Sequence, residues 1–318
     1  MLGMLSLLVS MVVLPECFFK LQAGVLTSYN SATSGYPCYR NILGALGVSL
    51  ATVNMNDEFK LTATELKSEI LRRRNSGEKD IKGLILSSPS NPTGSMLDEE
   101  ELKDLCHLCD AEGIQFISDE IYHGITYGKD ESTALSFSKN VIVINSFSKY
   151  YSMSGWRLGW MCIPKGLVEP INSLQQNMFI NAPTISQTAA LKCWDRESII
   201  ELEGHVEKYR MSRKIILDEL KTLSSSINIA PADGGFYVYV DLCKNIAPKF
   251  GSVAMCKALL EEEYVAFTPG IDFEDPNGDL GDRRFRISYA GGVDVAAQAM
   301  SRFKRFWPKW IERVEGKK

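Results

Sequence analysis

The chain has 318 residues, of which 45% are hydrophobic and 23% are charged. These proportions are typical of a soluble globular protein with one large or two ordinary domains. The net charge of −4 provides no positive surface for nucleic acid or for an anionic membrane. No apolar stretch reaches the roughly 18 residues of a membrane-spanning helix, and eight scattered cysteines are typical of a reducing compartment. We therefore expect a cytoplasmic protein without nucleic-acid or membrane partners.

Residues 1–14 (MLGMLSLLVSMVVL) are apolar and have the composition of a signal-peptide core. A signal peptide also needs a basic start and a cleavage site made of small residues. The first basic residue here is Lys20, and no such cleavage site follows. We therefore interpret residues 1–14 as a buried segment of the fold.

The first half of the chain alternates between strand and helix patterns from residue 83 onward. Three apolar runs have the length of strands buried on both faces of a sheet: residues 83–87, 114–118 and 141–145. Residues 95–112 carry an apolar stripe at helical spacing, with Ser95 or Asp98 as the cap and Gly113 as the stop. Strands that alternate with helices predict an open, mostly parallel α/β sheet.

The second half of the chain predicts a smaller α+β domain. A long helix over residues 198–223 leads into it. The other predicted elements are strands at 236–240, 265–268 and 284–288, helices at 253–263 and 294–314, and a surface loop at 272–282. We divide the chain into a large domain, residues 1–210, and a small C-terminal domain, residues 211–318.

Cys106 and Cys109 have the C-x-x-C spacing found in many metal sites, with His107 between them. Both cysteines fall on the apolar stripe of the predicted helix, and no second ligand pair accompanies them. We therefore interpret them as buried small hydrophobic residues and expect no metal site. The signatures of nicotinamide, nucleoside-triphosphate and zinc-protease sites do not occur in the sequence.

Three polar segments lie at or just after the ends of the predicted strands: residues 91–94 (NPTG), 118–122 (SDEIY) and 146–160 (SFSKYYSMSGWRLGW). Ligands bind at the carboxyl ends of parallel strands, where the loops of neighbouring strands meet. An acid such as Asp119 at the end of an apolar strand is costly unless it meets a cation there. The three segments therefore predict one polar crevice that contains Asn91, Asp119 and Lys149.

The last of these segments carries a family resemblance. Residues 146–159 resemble the lysine signature of the class I/II aminotransferases, which are fold-type I pyridoxal-phosphate (PLP) enzymes. Further segments are similar to the family's motifs in order and spacing: residues 91–94, 119–122, 234–237, 269–273 and 284–290. The resemblance runs from about residue 34 to the C-terminus. It implies an α/β, mostly parallel seven-stranded sheet sandwiched by helices, with a smaller C-terminal α+β domain.

The resemblance also implies how the residues would hold pyridoxal 5'-phosphate. Lys149 would form the Schiff base with the cofactor and move the proton at the substrate Cα. Asp119 would pair with the pyridine nitrogen and keep it protonated. Tyr122 and Asn91 would hydrogen-bond the phenolic oxygen of the ring, and Tyr36 would stack on the ring face.

The phosphate and carboxylate ligands follow from the same motifs. Three side chains would bind the cofactor phosphate: Ser146, Ser148 and Arg157. Arg286 resembles the residue that binds the substrate α-carboxylate, with Asn91 beside it. Strand alternation places Arg284 and Arg286 on one face, so alternation alone does not choose between them. The family motif selects Arg286.

The family's portion before residue 34 is longer than the 33 residues available here. It includes an arm that reaches the partner subunit, part of the small domain and a phosphate-binding loop at a helix N-terminus. Residues 1–14 could stand for the helix behind that loop. The resemblance thus implies an N-terminally truncated member whose large domain is missing or altered over residues 1–33, with weaker cofactor binding.

The implied activity is transfer of an amino group from an L-amino acid to a 2-oxo acid by a homodimer. Two alternatives remain open: a PLP lyase that carries out β- or γ-elimination, and a catalytically impaired truncated isoform that acts as a binding or dimerising protein. Residues 172–190 contain no Lys or Arg to pair with a second substrate carboxylate. We therefore expect neutral or aromatic donors to react faster than aspartate.

Overall fold

The computed structural model describes residues 5–9, 25–27, 35–223, 227–242, 251–275 and 278–316. Its strands are β1 Leu5–Val9, β2 Val25–Thr27, β3 Leu50–Ala51, β4 Gly83–Ser87, β5 Gln115–Asp119, β6 Ile142–Ser146, β7 Gly159–Ile163, β8 Ile227–Ile229, β9 Tyr237–Leu242, β10 Thr268–Pro269 and β11 Arg284–Ser288. Its α-helices are α1 Pro37–Ala45, α2 Ala63–Ser76, α3 Glu99–Glu112, α4 Val168–Met178, α5 Thr184–Ala190, α6 Arg196–Leu223, α7 Ser252–Glu263, α8 Leu280–Arg283 and α9 Val293–Glu315.

The large sheet has seven strands in the order β1-β7-β6-β5-β4-β2-β3. The five strands from β6 to β3 run parallel, whereas β7 and β1 are antiparallel to their neighbours. Successive residues of a strand face opposite sides of a sheet. Leu84 accordingly packs with α2 and α3 on one face, and Ile85 packs with α1 and α4 on the other. This arrangement confirms the mostly parallel sheet sandwiched by helices.

Helix α3 begins and ends at residues that cap it. Asp98 accepts a hydrogen bond from the backbone N–H of Glu101 at 2.9 Å, and the Glu101 side chain accepts one from the Asp98 N–H. The helix therefore begins after Asp98 and not at Ser95, whose hydroxyl donates to the carbonyl of Phe59. Cys106 and Cys109 are buried in the core below the sheet, as predicted, and burial raises the pKa of both thiols.

The N-terminal segment differs from the expected helix. Residues 5–9 form an edge strand that pairs antiparallel with β7 from Leu5–Ile163 to Val9–Gly159. A short apolar run has no periodicity that separates a strand from a buried helix, so the open edge of β7 decides its conformation. Residues 1–4, 10–24 and 28–34, on which the rest of the N-terminal expectation falls, lie outside the described residues. None of the helices in the described ranges is long and apolar enough to cross a membrane.

The smaller sheet is antiparallel, with the order β10-β11-β9-β8. Helices α6 and α9 cover it through a core that includes Leu220, Val238 and Phe303. Residues 265–267 are not part of a strand, and pairing with β11 is limited to Thr268 and Pro269. The prediction of a surface loop at 272–282 is also wrong in part. Helix α8 begins inside this range, and Glu274 is buried, where it pairs with Arg284.

Candidate active site

The polar crevice lies at the carboxyl edge of the large sheet. Asp119 is the last residue of β5, and its backbone pairs with Ser87 at the end of β4 and with Ile144 on β6. Asn91 lies in the loop after β4, and Lys149 lies in the turn after β6. The parallel register therefore brings the predicted polar segments to one edge of the sheet.

The carboxyl of Asp119 is held in a buried position, with 2% of the residue exposed. The Tyr39 hydroxyl donates a hydrogen bond to Oδ2, and the backbone N–H of Ile121 donates to Oδ1 at 3.3 Å. Burial raises the pKa of the Asp119 carboxyl to about 6, although the positive charge of Lys149 opposes this rise. The site thus contains an acid whose ionised form is stabilised by a nearby cation.

Lys149 lies in an apolar part of the same crevice. Its Nζ is 5.4 Å from the ring centroid of Tyr122 and 5.7 Å from that of Phe236. Burial lowers the pKa of the Lys149 amine, and the charges of Arg286 and Arg157 lower it further, whereas Asp119 opposes them. A lysine with a lowered pKa has a larger fraction of the neutral, nucleophilic amine at neutral pH.

The turn that carries Lys149 connects β6 to the antiparallel strand β7. Ser146 pairs with Gly159 across the two strands, and the Ser146 Oγ accepts a hydrogen bond from the Ser148 N–H at 3.0 Å. Arg157 lies on the returning side of this connection, is exposed, and donates to the Ser154 carbonyl at 3.0 Å. The turn therefore places two buried hydroxyls and a guanidinium around the lysine segment.

Aromatic side chains support this turn from below. The ring of Phe147, two residues before Lys149, has its centroid 5.0 Å from that of Trp160 and 5.6 Å from that of Trp194. Tyr151 packs on the same ring at 5.1 Å. Such a cluster fixes the backbone on both sides of the lysine.

Arg286 is the second cation of the crevice. Its Nη1 donates to the Asn91 Oδ1 at 2.7 Å, and its Nη2 donates to the Thr268 Oγ1 at 3.3 Å. The guanidinium lies between the rings of Tyr237 and Phe273, at 4.3 and 4.7 Å from their centroids. Its Nε is buried and has no hydrogen-bond partner among the described residues. This geometry leaves a donor available for an anionic ligand.

The contacts of Arg284 separate it from Arg286, which strand alternation did not. The Arg284 Nε donates to the Asp241 Oδ2 at 2.8 Å, and its Nη1 donates to the Glu274 Oε1 at 3.2 Å. All three side chains are buried, so the two carboxylates neutralise this guanidinium within the protein. Arg284 therefore stabilises the small sheet, whereas Arg286 faces Asn91 in the crevice.

Two tyrosines that the sequence reasoning gave no role lie in the crevice. Tyr39 donates to Asp119, and the Tyr237 hydroxyl lies 3.0 Å from that of Tyr122. Tyr39 follows Tyr36 by three residues, a helical spacing that places the two rings in edge-to-face contact at 5.6 Å. Tyr36 itself is 44% exposed. Helical spacing from Tyr36 is the one sequence signal that points to Tyr39, and the same spacing is equally typical of a core residue.

The chain is similar to known proteins over most of its length. A family model described as aminotransferase class I and II matches residues 30–300. The chain belongs to this family. It is 37% identical over 280 residues to the valine–pyruvate aminotransferase of Mycobacterium tuberculosis, and the matched residues cover 87% of this chain and 69% of that protein. It is 30% identical over 285 residues to the aspartate aminotransferase of Geobacillus stearothermophilus, and the matched residues cover 85% of this chain and 67% of that protein.

Solved structures agree with this assignment. The crystal structure of an aminotransferase from Mycobacterium tuberculosis superposes with a TM-score of 0.84 at 36% identity, covering 96% of this chain and 76% of that one. The fold of this aminotransferase is therefore that of the fold-type I enzymes. The activity is amino-group transfer, and neither the elimination chemistry nor the non-catalytic role is favoured by relatives that are named aminotransferases.

Aminotransferases of this fold generally use PLP, and the chemistry of the crevice suits that cofactor. The group needs an amine to bond, a carboxylate for its pyridine nitrogen and donors for its phosphate. Lys149 is such an amine, and Asp119 is such a carboxylate; burial lowers the pKa of the amine and raises the pKa of the carboxyl. The hydroxyls of Ser146 and Ser148 and the guanidinium of Arg157 are donors suited to a phosphate.

Proposed function

We propose that this aminotransferase holds PLP through Lys149 and transfers an amino group from an L-amino acid to a 2-oxo acid. The observation that carries the proposal is that Asp119, the last residue of β5, and Lys149, in the turn after β6, lie at the ends of two neighbouring parallel strands. Asp119 is buried and Lys149 is half-buried. The charge of Lys149 opposes the rise in the pKa of the Asp119 carboxyl, and the charge of Asp119 opposes the fall in the pKa of the Lys149 amine. A structural lysine at such a position would be costly without this use.

Bound PLP supplies a protonated aromatic ring that withdraws electrons from the substrate Cα. Asp119 would hold the ring nitrogen in its protonated form, because an ionised buried carboxylate stabilises a cation beside it. Tyr122 and Asn91 would donate hydrogen bonds to the ring oxygen, and Tyr36 would stack on the ring. The Lys149 amine accepts the Cα proton and returns it, a role that its lowered pKa supports.

The remaining polar residues bind the anionic groups. In our proposal the cofactor phosphate is bound by three side chains of the lysine turn: Ser146, Ser148 and Arg157. Arg286 binds the substrate α-carboxylate, with Asn91 beside it. The buried Nε of Arg286 supports this role, because a bidentate carboxylate would provide the hydrogen-bond partner that it lacks among the described residues.

For the substrate we propose neutral or aromatic L-amino acids as the faster donors. The segment from α4 to α5, residues 172–190, contains no Lys or Arg that could pair with a second carboxylate. One relative is named for valine and pyruvate and another for aspartate. Turnover of aspartate tenfold above that of valine and phenylalanine, about 1.4 kcal/mol in the barrier, would contradict this proposal.

The proposed assembly is a homodimer of chains that each contain a large domain, residues 1–210, and a small domain, residues 211–318. The boundary falls inside α6, which contacts both the small sheet and the segment before it. Exposed apolar side chains concentrate between α4 and the start of α6: Ile180, Ile185, Leu191, Trp194 and Ile200. A concentration of this kind supports a protein–protein contact.

We also propose a cytoplasmic location, in line with the six described cysteines, which are free thiols.

The test of Lys149 is chemical labelling. The protein is loaded with PLP, reduced with borohydride, digested and mapped by mass spectrometry. We expect the pyridoxyl group on Lys149, and a Lys149→Ala variant should carry none. Label on Lys139 or Lys165 in place of Lys149 would contradict the proposal. Amino acids added to the loaded protein should change its absorbance without release of pyruvate or ammonia, since release would indicate a lyase and no change a binding protein.

A further inference from the structure

Tyr237 makes two different contacts with two residues of the crevice. Its hydroxyl lies 3.0 Å from the hydroxyl of Tyr122, and the face of its ring lies 4.3 Å from the Cζ of Arg286. Tyr237 is the first residue of β9 and is buried. Because Arg286 pairs with Tyr239 across β9 and β11, Tyr237 and Arg286 are diagonal neighbours on the small sheet.

We propose that Tyr237 is a positioning residue that fixes Arg286 through its ring and Tyr122 through its hydroxyl. One rigid side chain would then set the spacing between the carboxylate site and the site of the cofactor ring oxygen. The inference rests on the proposed roles of Arg286 and Tyr122 and adds a residue to which no role was given.

The ring contact concerns the orientation of the guanidinium. Arg286 is held between the faces of Tyr237 and Phe273, while Asn91 and Thr268 accept hydrogen bonds from its two Nη atoms. Stacking on an aromatic face leaves the edge of a guanidinium free to bind a carboxylate. Removal of the Tyr237 ring should therefore weaken carboxylate binding.

The hydroxyl contact concerns the proton of Tyr122. A phenol has one O–H donor, and Tyr122 is almost completely buried. When Tyr122 donates to an oxygen of the cofactor, Tyr237 remains as the donor to Tyr122. A hydrogen bond received by a phenol strengthens the bond that the same phenol donates. Loss of the Tyr237 hydroxyl should therefore slow the reaction of bound substrate without loosening the carboxylate.

The two contacts can be separated with three variants and one control. Tyr237→Phe keeps the ring and loses the hydroxyl, whereas Tyr237→Leu loses both. Phe273→Leu removes the other ring beside Arg286 and leaves Tyr122 untouched. Tyr289→Phe is the control, because its hydroxyl donates to the Gly235 carbonyl, which also accepts from Tyr127.

Two measurements are made on each variant. The affinity for isovalerate, a carboxylate that carries no amino group, is measured by calorimetry on the cofactor-free and the PLP-loaded protein. The turnover number is measured at saturation with the donor that the parent protein uses fastest among valine, phenylalanine, methionine, alanine and aspartate. Thermal melting reports whether each variant is folded.

We expect Tyr237→Phe to bind isovalerate within about twofold of the parent but to turn over about three- to tenfold more slowly. Tyr237→Leu and Phe273→Leu should bind isovalerate about three- to tenfold more weakly, and the control should change neither quantity. Parent-like turnover of Tyr237→Phe, or an equal loss of isovalerate affinity in Tyr237→Phe and Phe273→Leu, would overturn the proposal. If Tyr237→Leu does not fold, Phe273→Leu and Tyr237→Phe still test both contacts.

Failure of the parent to hold PLP would instead contradict the proposed function, and isovalerate binding to the cofactor-free protein would still test the ring contact.

Discussion

Ionisation of the buried Asp119 carboxyl at neutral pH lowers the folding stability of the cofactor-free protein. Burial raises its pKa from the ordinary 3.8 to about 6, even though Tyr39 and Ile121 donate hydrogen bonds to it. A cation placed beside this carboxylate would recover that cost. This loss of stability is consistent with the proposed role of Asp119, since residues with strongly shifted pKa values cluster at functional sites.

This cost predicts a pH-dependent effect of Asp119→Asn on the cofactor-free protein. The pKa of Asp119 is higher in the folded than in the unfolded protein, so the protonated acid favours the folded state. This contribution to stability is complete below about pH 3.8 and is lost as the pH rises through about 6. The variant should match the parent near pH 4 and be more stable at pH 8, by up to about 3 kcal/mol. Urea unfolding across this pH range measures the difference.

Asp104→Asn is the matched control, because it makes the same substitution at an exposed acid on α3, outside the crevice. Equal stabilities of Asp119→Asn and the parent at pH 8 would contradict the argument. With PLP present the order should reverse, since the variant has no carboxylate to pair with the pyridine nitrogen.

The sequence identified the charged residues of the crevice better than the aromatic ones. Asp119 and Lys149 stand out because charges at the ends of apolar strands need an explanation. Tyr39 and Tyr237 do not, because a tyrosine at helix or strand spacing is equally typical of a core. Arg284 and Arg286 differ only in the partners that meet them in three dimensions, namely Asp241 and Glu274 for Arg284.

At the scale of elements, the loop after β4 is held against the segment that leads into β9. Gly94 has φ +67°, and a Cβ at this position would lie 2.9 Å from the Cα of Ala232 and 3.1 Å from the carbonyl oxygen of Tyr237. The Gly234 N–H also donates to the Gly94 carbonyl at 2.9 Å. This contact fixes Asn91, in the same loop, relative to the small sheet.

Gly94→Ala should therefore destabilise the protein by about 1–3 kcal/mol, through both backbone strain and crowding. It should also weaken isovalerate binding, because Asn91 moves relative to Arg286. Gly128→Ala separates the two causes: Gly128 has φ +83° but no heavy atom within 4 Å of the added Cβ, so strain acts alone there. Chemical denaturation gives the stabilities, and a loss no larger for Gly94→Ala than for Gly128→Ala would contradict the crowding.

Elements were predicted well where a strand is buried between neighbours. The strands β4 and β11 have the predicted bounds, and β5 and β6 differ from them by one residue at each end. The edges were predicted poorly. Pairing of residues 5–9 with β7, and the short pairing at β10, depend on the partner strand and not on the local pattern.

At the scale of the whole molecule, Arg40 connects helix α1 of the large domain to the proposed carboxylate site. Arg40 lies on α1, the helix of Tyr39, and donates to the carbonyl of Glu274 at 2.5 Å and to that of Asp272 at 3.4 Å. The backbone N–H of Gly35 donates to the carbonyl of Phe273 at 3.0 Å. The ring beside Arg286 is thus held by the element that also holds Asp119.

We expect Arg40→Ala to weaken isovalerate binding about three- to tenfold, because two hydrogen bonds from a charged donor are lost. Arg40→Lys should recover only part of the loss, since an ammonium cannot reproduce the fork of donors. Arg72→Ala removes an exposed arginine that pairs with Glu69 and Glu78, and it should leave the affinity unchanged. An Arg40→Ala protein with parent affinity would show that the connection does not reach the site.

The aromatic cluster under the lysine turn has an optical consequence. Trp160 and Trp194 pack on Phe147, two residues before Lys149. Indoles fluoresce in the near ultraviolet, where pyridoxal imines absorb, and resonance energy transfer is efficient over such short separations. Arrival of the cofactor on Lys149 should therefore quench the tryptophan emission of the chain. The protein would carry its own fluorescent reporter of cofactor occupancy, readable during dialysis without a substrate or an added dye.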